Sequence, residues 1–139
     1  MDFADKNNIF YKILQGDAPC YKVYEDDDFL VILDIFPISL GHCLIIPKLP
    51  AVDIFDLKPD SSKKIYPLAQ KIAVAVKAAT ACDAIKIIQN NGSAAGQIVF
   101  YFHMHVVPYF ENDSQPKTKP TAEEFEGMAA RLSEYLIQK

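Results

Sequence analysis

The sequence predicts an α+β domain in which one long helix and short flanking helices pack on a mainly antiparallel five-stranded sheet. Two observations indicate this class. Five apolar runs of strand character are joined mostly by short links, and a single stretch with helical periodicity separates the third run from the fourth. A regular alternation of strands and helices would predict a parallel sheet instead. The chain has 139 residues, half of them hydrophobic, which is enough for one domain with a buried core.

The first half of the chain contains three of the predicted strands. A short helix is expected over residues 8–14, because Gly16 lies where glycine commonly follows a helix end. The strands of this half cover residues 21–25, 29–35 and 42–47.

Helical spacing replaces the strand pattern between residues 53 and 82. Pro67 leaves the first turn of this long helix undefined, because proline is tolerated only near a helix start. The fourth and fifth strands follow at 84–89 and 100–110. The apolar residues that recur at helical spacing are Ile65, Leu68, Ile72 and Val76.

A last amphipathic helix is predicted near the C-terminus. Thr121 and Glu124 have the spacing of a capping box, in which each side chain bonds to the backbone N–H of the other residue. The residues expected on the apolar side of this helix are Phe125, Met128, Leu132 and Tyr135.

The composition argues against several classes of protein. The formal net charge of −4 disfavours a nucleic-acid partner, since such proteins usually carry a basic patch. No stretch approaches the roughly 20 apolar residues of a membrane span, and the first residues lack the basic and apolar regions of a signal peptide. Cys20, Cys43 and Cys82 are too widely spaced for a disulfide framework or a metal clip. We therefore expect a cytoplasmic protein with reduced thiols and neither a nucleic-acid nor a membrane partner.

The sequence FYFHMHVVPYF, residues 100–110, places two histidines on one face of a strand, because residues two apart point the same way. These are His103 and His105, and the third histidine of the chain, His42, opens another predicted strand. Imidazole can serve as a nucleophile or as a general acid or base near neutral pH. Two other interpretations stay open. The rings could be ordinary hydrogen-bonded histidines, or all three could bind a metal, although two imidazoles alone do not make a full zinc site.

The segment NNGSAAGQ, residues 90–97, is a loop of small residues directly before the histidine strand. Its two glycines and two alanines allow the backbone to approach a ligand closely. Successive backbone N–H groups in such a loop can form an anion-binding concavity. A plain turn between strands is the alternative. Next to the histidine pair, the loop indicates a phosphate held against an imidazole.

Three segments carry a shared pattern: GQIVFYFHMHVVP (96–108), KVYEDDDFLVILDIFPISLGHCLIIPK (22–48) and NNGSAAGQ. Together they resemble the histidine-triad (HIT) family, whose signature is H-x-H-x-H followed by two apolar residues and usually a proline. The likeness covers roughly residues 8–110, so we expect a HIT-like domain over 1–110 and a polar linker with a C-terminal amphipathic helix over 111–139. The resemblance also implies a HIT-like fold and a homodimer without a cofactor.

The resemblance implies a role for each matching residue. His103 falls on the nucleophile that attacks the α-phosphorus of a nucleotide, and His105 falls on the histidine that contacts the phosphate and the departing group. His42 falls on a histidine that supports the same centre, and Asp34 lies where the family binds the ribose hydroxyls. The remaining implied nucleotide-binding residues are Phe10, Ile13, Leu33 and Ile35 near the base, and Asn90, Gly96 and Gln97 beside the phosphates.

Five positions depart from the family pattern. Tyr101 replaces the first histidine, and the ligands of the structural zinc found in some members correspond here to Asn8, Tyr11, Pro50 and Tyr101, which cannot form a tetrahedral site. We therefore expect no bound metal, with Tyr11 and Tyr101 packed there and their hydroxyls bonded to each other or to water. In the family the first histidine offers its backbone carbonyl to the nucleophile, and tyrosine has the same carbonyl. Ile98 stands where many members have Ser or Thr.

These roles imply a nucleotide hydrolase of the histidine-triad type. It would cleave at the α-phosphate of a purine nucleotide conjugate, a phosphoramidate or a dinucleoside polyphosphate, through a nucleotidyl-histidine intermediate. The lost hydroxyl at Ile98 would slow the reaction by roughly 10²-fold or less. The alternative is a nucleotide-binding module with little or no turnover, for which Ile98 and Tyr101 would be marks of decay.

Overall fold

The computed structural model describes residues 8–112 and 118–137 of the chain. Residues 1–7, on which the expectation about a signal peptide rests, and residues 113–117 of the predicted linker lie outside that part. The elements are α1 (Ile9–Leu14), β1 (Lys22–Glu25), β2 (Phe29–Leu33), β3 (Cys43–Pro47), α2 (Pro59–Thr80), β4 (Ala84–Ile88), a 3₁₀ turn (Ser93–Ala95), β5 (Met104–Tyr109) and α3 (Ala122–Tyr135). The sheet has the order β1-β2-β3-β5-β4, and every neighbouring pair is antiparallel. The predicted class and the five-stranded antiparallel sheet are confirmed.

Helices cover the two faces of the sheet to different extents. Every residue of β2 and β3 is buried, as expected for strands covered on both sides. Helices α2 and α3 pack on one face, where Val31, Ile45 and Val106 belong to the main core. Helix α1 packs on the other face, where Phe10 and Leu44 belong to a smaller core. Because α1 has only six residues, this second face has room for a cavity.

Helix α2 begins well before Pro67, which therefore lies in the helix interior and not near the start that proline prefers. Proline removes one backbone N–H from the helix. The Pro67 side chain is on the exposed face, where water can bind the carbonyl that lacks this donor. Within residues 8–112 and 118–137, neither α2 nor another helix is long and apolar enough to cross a membrane.

Helix α3 has the predicted capping box: Oγ1 of Thr121 accepts from the N–H of Glu124, and the Glu124 carboxylate accepts from the N–H of Thr121. Its apolar side differs from the prediction in one residue. Tyr135 is 52% exposed, whereas Leu136 is buried, because a period of 3.6 residues brings position 136 back above 125 and 132. Phe125 and Leu132 belong to the main core, so α3 shares a core with the sheet, and the boundary at residue 110 stays a prediction.

The residue after α2 has a strained backbone. Ala81 has φ 56° and ψ 32°, in the left-handed region, and its N–H donates to the carbonyl of Lys77. Glycine adopts this conformation more easily. We expect Ala81→Gly to raise the free energy of unfolding by about 0.5–1 kcal/mol in urea denaturation. The control Ala78→Gly, on the exposed face of the same helix, should lower it by about 1 kcal/mol. A loss in both variants would contradict the strain argument.

Candidate active site

The ends of three strands bring the predicted site residues together. Ile32, Leu44 and His105 are cross-strand neighbours in β2, β3 and β5, so they share one face of the sheet. Asp34 lies two residues after Ile32, and His42 two residues before Leu44, so both continue this face just beyond the strands. The N–H of Asp34 donates to the carbonyl of His42 at 2.9 Å, which extends the pairing past the end of β2. Four of the strands are one or two residues shorter than predicted, but the predicted strand 100–110 begins only at Met104, so Tyr101 and His103 precede it.

Gly41 allows the chain to turn into His42. Its φ is 105°, and a Cβ atom at this position would lie 2.8 Å from Cγ2 of Thr80. Any other residue would be strained, and its Cβ would also have to displace the side chain of Thr80. The backbone conformation of Gly41 therefore determines the direction in which the chain reaches His42.

Hydrogen bonds determine which nitrogen of His42 and His105 carries the proton. The N–H of Ile38 donates to Nδ1 of His42 at 3.1 Å, so we assign the proton of neutral His42 to Nε2. This Nε2 is 2.9 Å from Nδ1 of His105 and 3.5 Å from Oδ2 of Asp34. It therefore donates to His105, which must carry its own proton on Nε2. That proton is available to a ligand.

His103 has the opposite tautomer. It lies immediately before β5, and its Nδ1 is 2.7 Å from the backbone carbonyl of Tyr101. Since a carbonyl only accepts, Nδ1 carries the proton and Nε2 has a free lone pair. The ring packs edge-on against Phe10 and against His105, with centroid distances of 4.9 Å in both cases. The expected hydrogen bond, from Nδ1 of His103 to the backbone carbonyl of residue 101, is therefore present.

Burial lowers the pKa of all three histidines. For His42 the carboxylate of Asp34 opposes this effect, and for His103 the hydrogen bond to Tyr101 opposes it. Burial, together with the charges that His103 and His42 would carry, lowers the pKa of His105 to about 4. All three rings are therefore neutral at pH 7, in agreement with the tautomers that the hydrogen bonds require.

The site opens into a cavity of about 410 Å³ between α1 and the sheet, within the usual size range for small-molecule sites. His42 does not line it and reaches it only through His105. Leu33 lines it although its side chain belongs to the main core. The predicted residues that line the cavity are Phe10, Ile13, Leu33, Asp34, Ile35, Asn90, Gly96, His103 and His105.

Several lining residues were not among the predicted site residues. Ile32 and Leu44 could have been found, because they stand two positions from Asp34 and His42 on strands. Pro19 and Cys20 come from the link between α1 and β1, which has no local signal. The full set of additional lining residues is Ile9, Pro19, Cys20, Ile32, Phe36, Leu44, Ile98 and Val99.

A model of the HIT domain matches residues 15–112 of this chain. The chain belongs to the HIT family. It is 42% identical over 105 residues to the adenylylsulfatase HINT3 of Arabidopsis thaliana, a match that covers 76% of this chain but only 53%, about half, of that protein. A Hit-like protein involved in cell-cycle regulation from Bartonella henselae has a TM-score of 0.85 at 34% identity, over 94% of this chain and 98% of its own. A hypothetical histidine triad nucleotide-binding protein from Sulfolobus tokodaii also has a TM-score of 0.85, at 29% identity, over 91% of this chain and 90% of its own.

Gln97 braces the loop of this HIT domain instead of lining the cavity. Its side chain is 4% exposed. Its Oε1 accepts from the N–H of Gly92 at 2.7 Å, and its Nε2 donates to the carbonyl of Val52 at 2.7 Å. Both ends of the amide are already bonded within the fold, so Gln97 supports the loop predicted to line the phosphates, and its own place beside a phosphate stays a prediction.

The anion-binding concavity predicted for the same loop is only partly available. The N–H groups of Ala95 and Gln97 donate to the carbonyl of Gly92, and that of Gly96 donates to Ser93. Gly96 lines the cavity with φ 95°, a conformation that other residues rarely adopt. Asn90 donates only a 3.5 Å bond to the carbonyl of Gly96. Its amide and the Nε2–H of His105 are the donors best placed for a phosphate.

The positions of the zinc ligands in other HIT proteins have structural roles here. Tyr101 is 1% exposed, and its hydroxyl donates to the carbonyl of Pro47 at 2.8 Å. The prediction that the Tyr101 hydroxyl bonds to that of Tyr11 or to water is therefore wrong. Oδ1 of Asn8 caps α1 by accepting from the N–H groups of Phe10 and Tyr11. With these side chains already engaged, the residues at the zinc positions do not fit the metal.

A different trio could be considered for a metal. One ligand atom each from Asp34, His42 and His105 lies within 4.8 Å of the others. A metal bound to Nε2 of His42 would require that ring to lose its remaining proton, because Nδ1 already accepts from Ile38. It would also replace the bond between His42 and His105. The hydrogen bonds therefore favour a proton-bearing cluster over the metal interpretation that the sequence leaves open.

The low histidine pKa values predict that stability decreases in mild acid. An unfolded histidine titrates near pH 6.5, whereas in the fold the pKa of His105 is lowered to about 4. Between these values the unfolded chain binds more protons, so the free energy of unfolding falls as the pH falls. His105 contributes about 1–2 kcal/mol of this loss, allowing for its partial exposure. Urea denaturation between pH 8 and pH 4 measures it. His105→Gln should flatten the curve, and the same slope in both proteins would contradict the assignment.

Proposed function

We propose that this HIT-family protein is a nucleotide hydrolase that cleaves at the α-phosphate of a purine nucleotide conjugate through a nucleotidyl-histidine at His103. The observation that carries the proposal is the free Nε2 lone pair of His103, in a ring whose Nδ1–H is held by the carbonyl of Tyr101 at 2.7 Å. A neutral imidazole held in one orientation beside a cavity meets the requirement for a nucleophile. Any residue supplies the carbonyl, so tyrosine at position 101 is compatible with this chemistry.

The shape and polarity of the cavity support a nucleotide as the ligand. Phe10 and Ile13 offer an apolar surface for a purine, and Phe10 also contacts the ring of His103. Such a base would therefore lie next to the nucleophile. Oδ1 of Asp34 accepts from the N–H of Phe36 at 2.9 Å, which leaves Oδ2 for a ribose hydroxyl.

The proposed reaction has two displacements. Nε2 of His103 forms a bond to the α-phosphorus while the bond to the leaving group breaks and its electron pair goes to the leaving atom. His105 donates its Nε2–H to a phosphate oxygen and stabilises the negative charge. Because His42 occupies its Nδ1, His105 stays neutral, and a leaving nitrogen takes its proton from water. A water oxygen then bonds to phosphorus, its proton goes to solvent, and the bond to His103 breaks to release the nucleoside monophosphate.

Release of adenosine monophosphate from adenosine 5′-phosphoramidate tests this proposal. In ¹⁸O-labelled water the product should carry one labelled oxygen on phosphorus. Under an alkaline quench, the peptide that contains His103 should gain the mass of one nucleotidyl group. Failure to cleave this compound and dinucleoside polyphosphates, by protein that is folded, would contradict the hydrolase.

A nucleotide-binding module is the second candidate. It is favoured because few hydrogen-bond donors among the described residues are available to stabilise a leaving group. Ile98 offers no hydroxyl, and three N–H groups of the neighbouring loop are engaged. Binding of adenosine monophosphate without turnover of any conjugate would support this candidate.

We also propose that two copies join through β4 into a homodimer. Among the described strands, β4 forms one edge of the sheet and is only partly buried, and edge strands expose unpaired backbone groups. Tyr66 and Val74 on the neighbouring α2 are 62% and 67% exposed. Light scattering should give twice the chain mass of 15.6 kDa. Val74→Glu should shift the mass to one chain, whereas Ile54→Glu should not, and a monomeric natural protein would contradict the proposal.

A further inference from the structure

We propose that Ser39 is a positioning residue of the histidine cluster. Its hydroxyl ties the loop of residues 36–41, here called the His42 loop, to β5. This tie keeps the proton of His42 on Nε2, and so keeps the proton of His105 on the nitrogen that is available to a ligand. The inference rests on the proposed hydrolase, in which His105 donates that proton to a phosphate oxygen, and it adds the residue that maintains the donor.

Ser39 closes a gap in the sheet. The N–H of Asp83 donates to the carbonyl of Tyr109 on the β4 side of β5. Neighbouring carbonyls along a strand point to opposite sides, so the carbonyl of Pro108 points to the β3 side. Strand β3 begins only at Cys43 and does not reach Pro108. The hydroxyl of Ser39 donates to this carbonyl at 2.6 Å and takes the place of a strand partner.

The same loop presents the N–H group that determines the tautomer of His42. The N–H of Ile38 donates to Nδ1 of His42 at 3.1 Å, and the N–H of His42 donates to the carbonyl of Ser39 at 3.1 Å. Both bonds lie within residues 38–42, so they fix the shape of the loop but not its distance from β5. The bond of the Ser39 hydroxyl spans 69 positions of the chain and fixes that distance. It therefore holds His42 where its Nε2 reaches His105.

The packing behind the His42 loop is incomplete. A cleft of about 220 Å³ lies between the loop and residues 118–124. The side chain of Leu40 packs against the main core, but that of Ile38 is 38% exposed. Apolar contacts thus leave the outer side of the loop open to water. A directional hydrogen bond supplies the restraint that these contacts do not.

Removal of the Ser39 hydroxyl should therefore release two tautomers at once. When the N–H of Ile38 moves away, neutral His42 can carry its proton on Nδ1, and its Nε2 then accepts from Nδ1 of His105. Nε2 of His105 becomes a lone pair, which repels a phosphate oxygen that the proton would have attracted. His103 keeps its own tautomer, because the carbonyl of Tyr101 holds its proton.

The test measures the tautomers by ¹⁵N NMR in protein labelled at histidine, at neutral pH. In the natural protein, His42 and His105 should carry the proton on Nε2, and His103 should carry it on Nδ1. Ser39→Ala should give a mixture of both tautomers for His42 and His105 and leave His103 unchanged. Ser39→Thr, which keeps the hydroxyl, should retain the natural pattern.

Ser133→Ala is the matched control. The hydroxyl of Ser133 also joins distant elements, since it donates to the carbonyl of Val23 at 2.9 Å over 110 positions of the chain. Ser133 lies on α3 and does not line the cavity. Both alanine variants should be destabilised in urea, because each loses one hydrogen bond. Ser133→Ala should nevertheless keep the natural tautomers.

Single-turnover release of adenosine monophosphate from adenosine 5′-phosphoramidate gives the effect on the reaction. Ser39→Ala should lower this rate by about 3-fold to 10-fold, since only the molecules with the proton on Nε2 of His105 retain the donor. Complete loss of a donor costs about 10²-fold or more. Ser39→Thr and Ser133→Ala should stay within about twofold of the natural rate.

Three results would overturn the inference without touching the hydrolase proposal. The first is a natural protein in which His42 carries its proton on Nδ1. The second is the natural set of tautomers in folded Ser39→Ala, whatever its rate. The third is the same mixture of tautomers in Ser133→Ala as in Ser39→Ala, which would make the effect one of general stability.

The spectra need no turnover, so a protein that does not cleave the phosphoramidate would contradict the hydrolase and still decide the inference. Mixed tautomers at the natural rate would support the role of Ser39 and contradict that of His105 as a donor. Ser39→Cys keeps the shape of the side chain with a weaker donor, and it replaces the alanine variant should that one not fold. Mixed tautomers in Ser39→Cys would support the inference, and the natural pattern would overturn it.

Discussion

Replacement of His103 by alanine is expected to lower the release of nucleoside monophosphate by about 10⁴-fold or more, as for other removed nucleophiles. No other imidazole of the chain can take over. Both ring nitrogens of His42 are hydrogen-bonded. In His105 the only unbonded nitrogen is the one that carries a proton. The measurement is single-turnover release of adenosine monophosphate from the phosphoramidate.

Two controls separate this loss from unfolding. The free energy of unfolding of His103→Ala, measured in urea, should stay within about 2 kcal/mol of that of the natural protein, and the variant should still bind adenosine monophosphate. Free imidazole, which fits the space left by the ring, should restore part of the activity. A variant with more than a tenth of the natural rate would show that His103 is not the nucleophile.

Replacement of Tyr101 by alanine is expected to lower the free energy of unfolding by about 3–5 kcal/mol. The side chain is almost fully buried, packs under α1 and donates to the carbonyl of Pro47. Most domains have only about 5–15 kcal/mol of stability, so the variant should be close to unfolding at 37 °C. Urea and thermal denaturation measure the effect.

Tyr101→Phe separates the hydroxyl from the backbone at this position. It keeps the packing but leaves the carbonyl of Pro47 without that donor, which should cost about 1–3 kcal/mol. The backbone carbonyl that orients His103 is unchanged, so the turnover rate should stay within about twofold. A large loss of activity in this folded variant would mean that the phenolic hydroxyl takes part in the chemistry.

The period of two residues along a strand is local information, and it predicts the common face of His103 and His105. It does not predict the strand order that brings Asp34 and His42 beside them. The capping box of Thr121 is equally local, since it needs only a spacing of three residues. Tyr135 shows the limit, because one step of the helical period separates an exposed position from the buried Leu136.

The sequence by itself determines the α+β class, the five strands and the common face of His103 and His105, whereas the strand order brings Asp34 and His42 beside them. Only the tertiary structure decides the protonation of these rings, the bracing role of Gln97 and the hydroxyl partner of Tyr101. The reason is distance along the chain. His42 and His105 are 63 residues apart, Tyr101 and Pro47 are 54 apart, and Gln97 and Val52 are 45 apart. Periodicity predicts the face on which a side chain lies, but a hydrogen-bond partner on another element depends on how the elements pack.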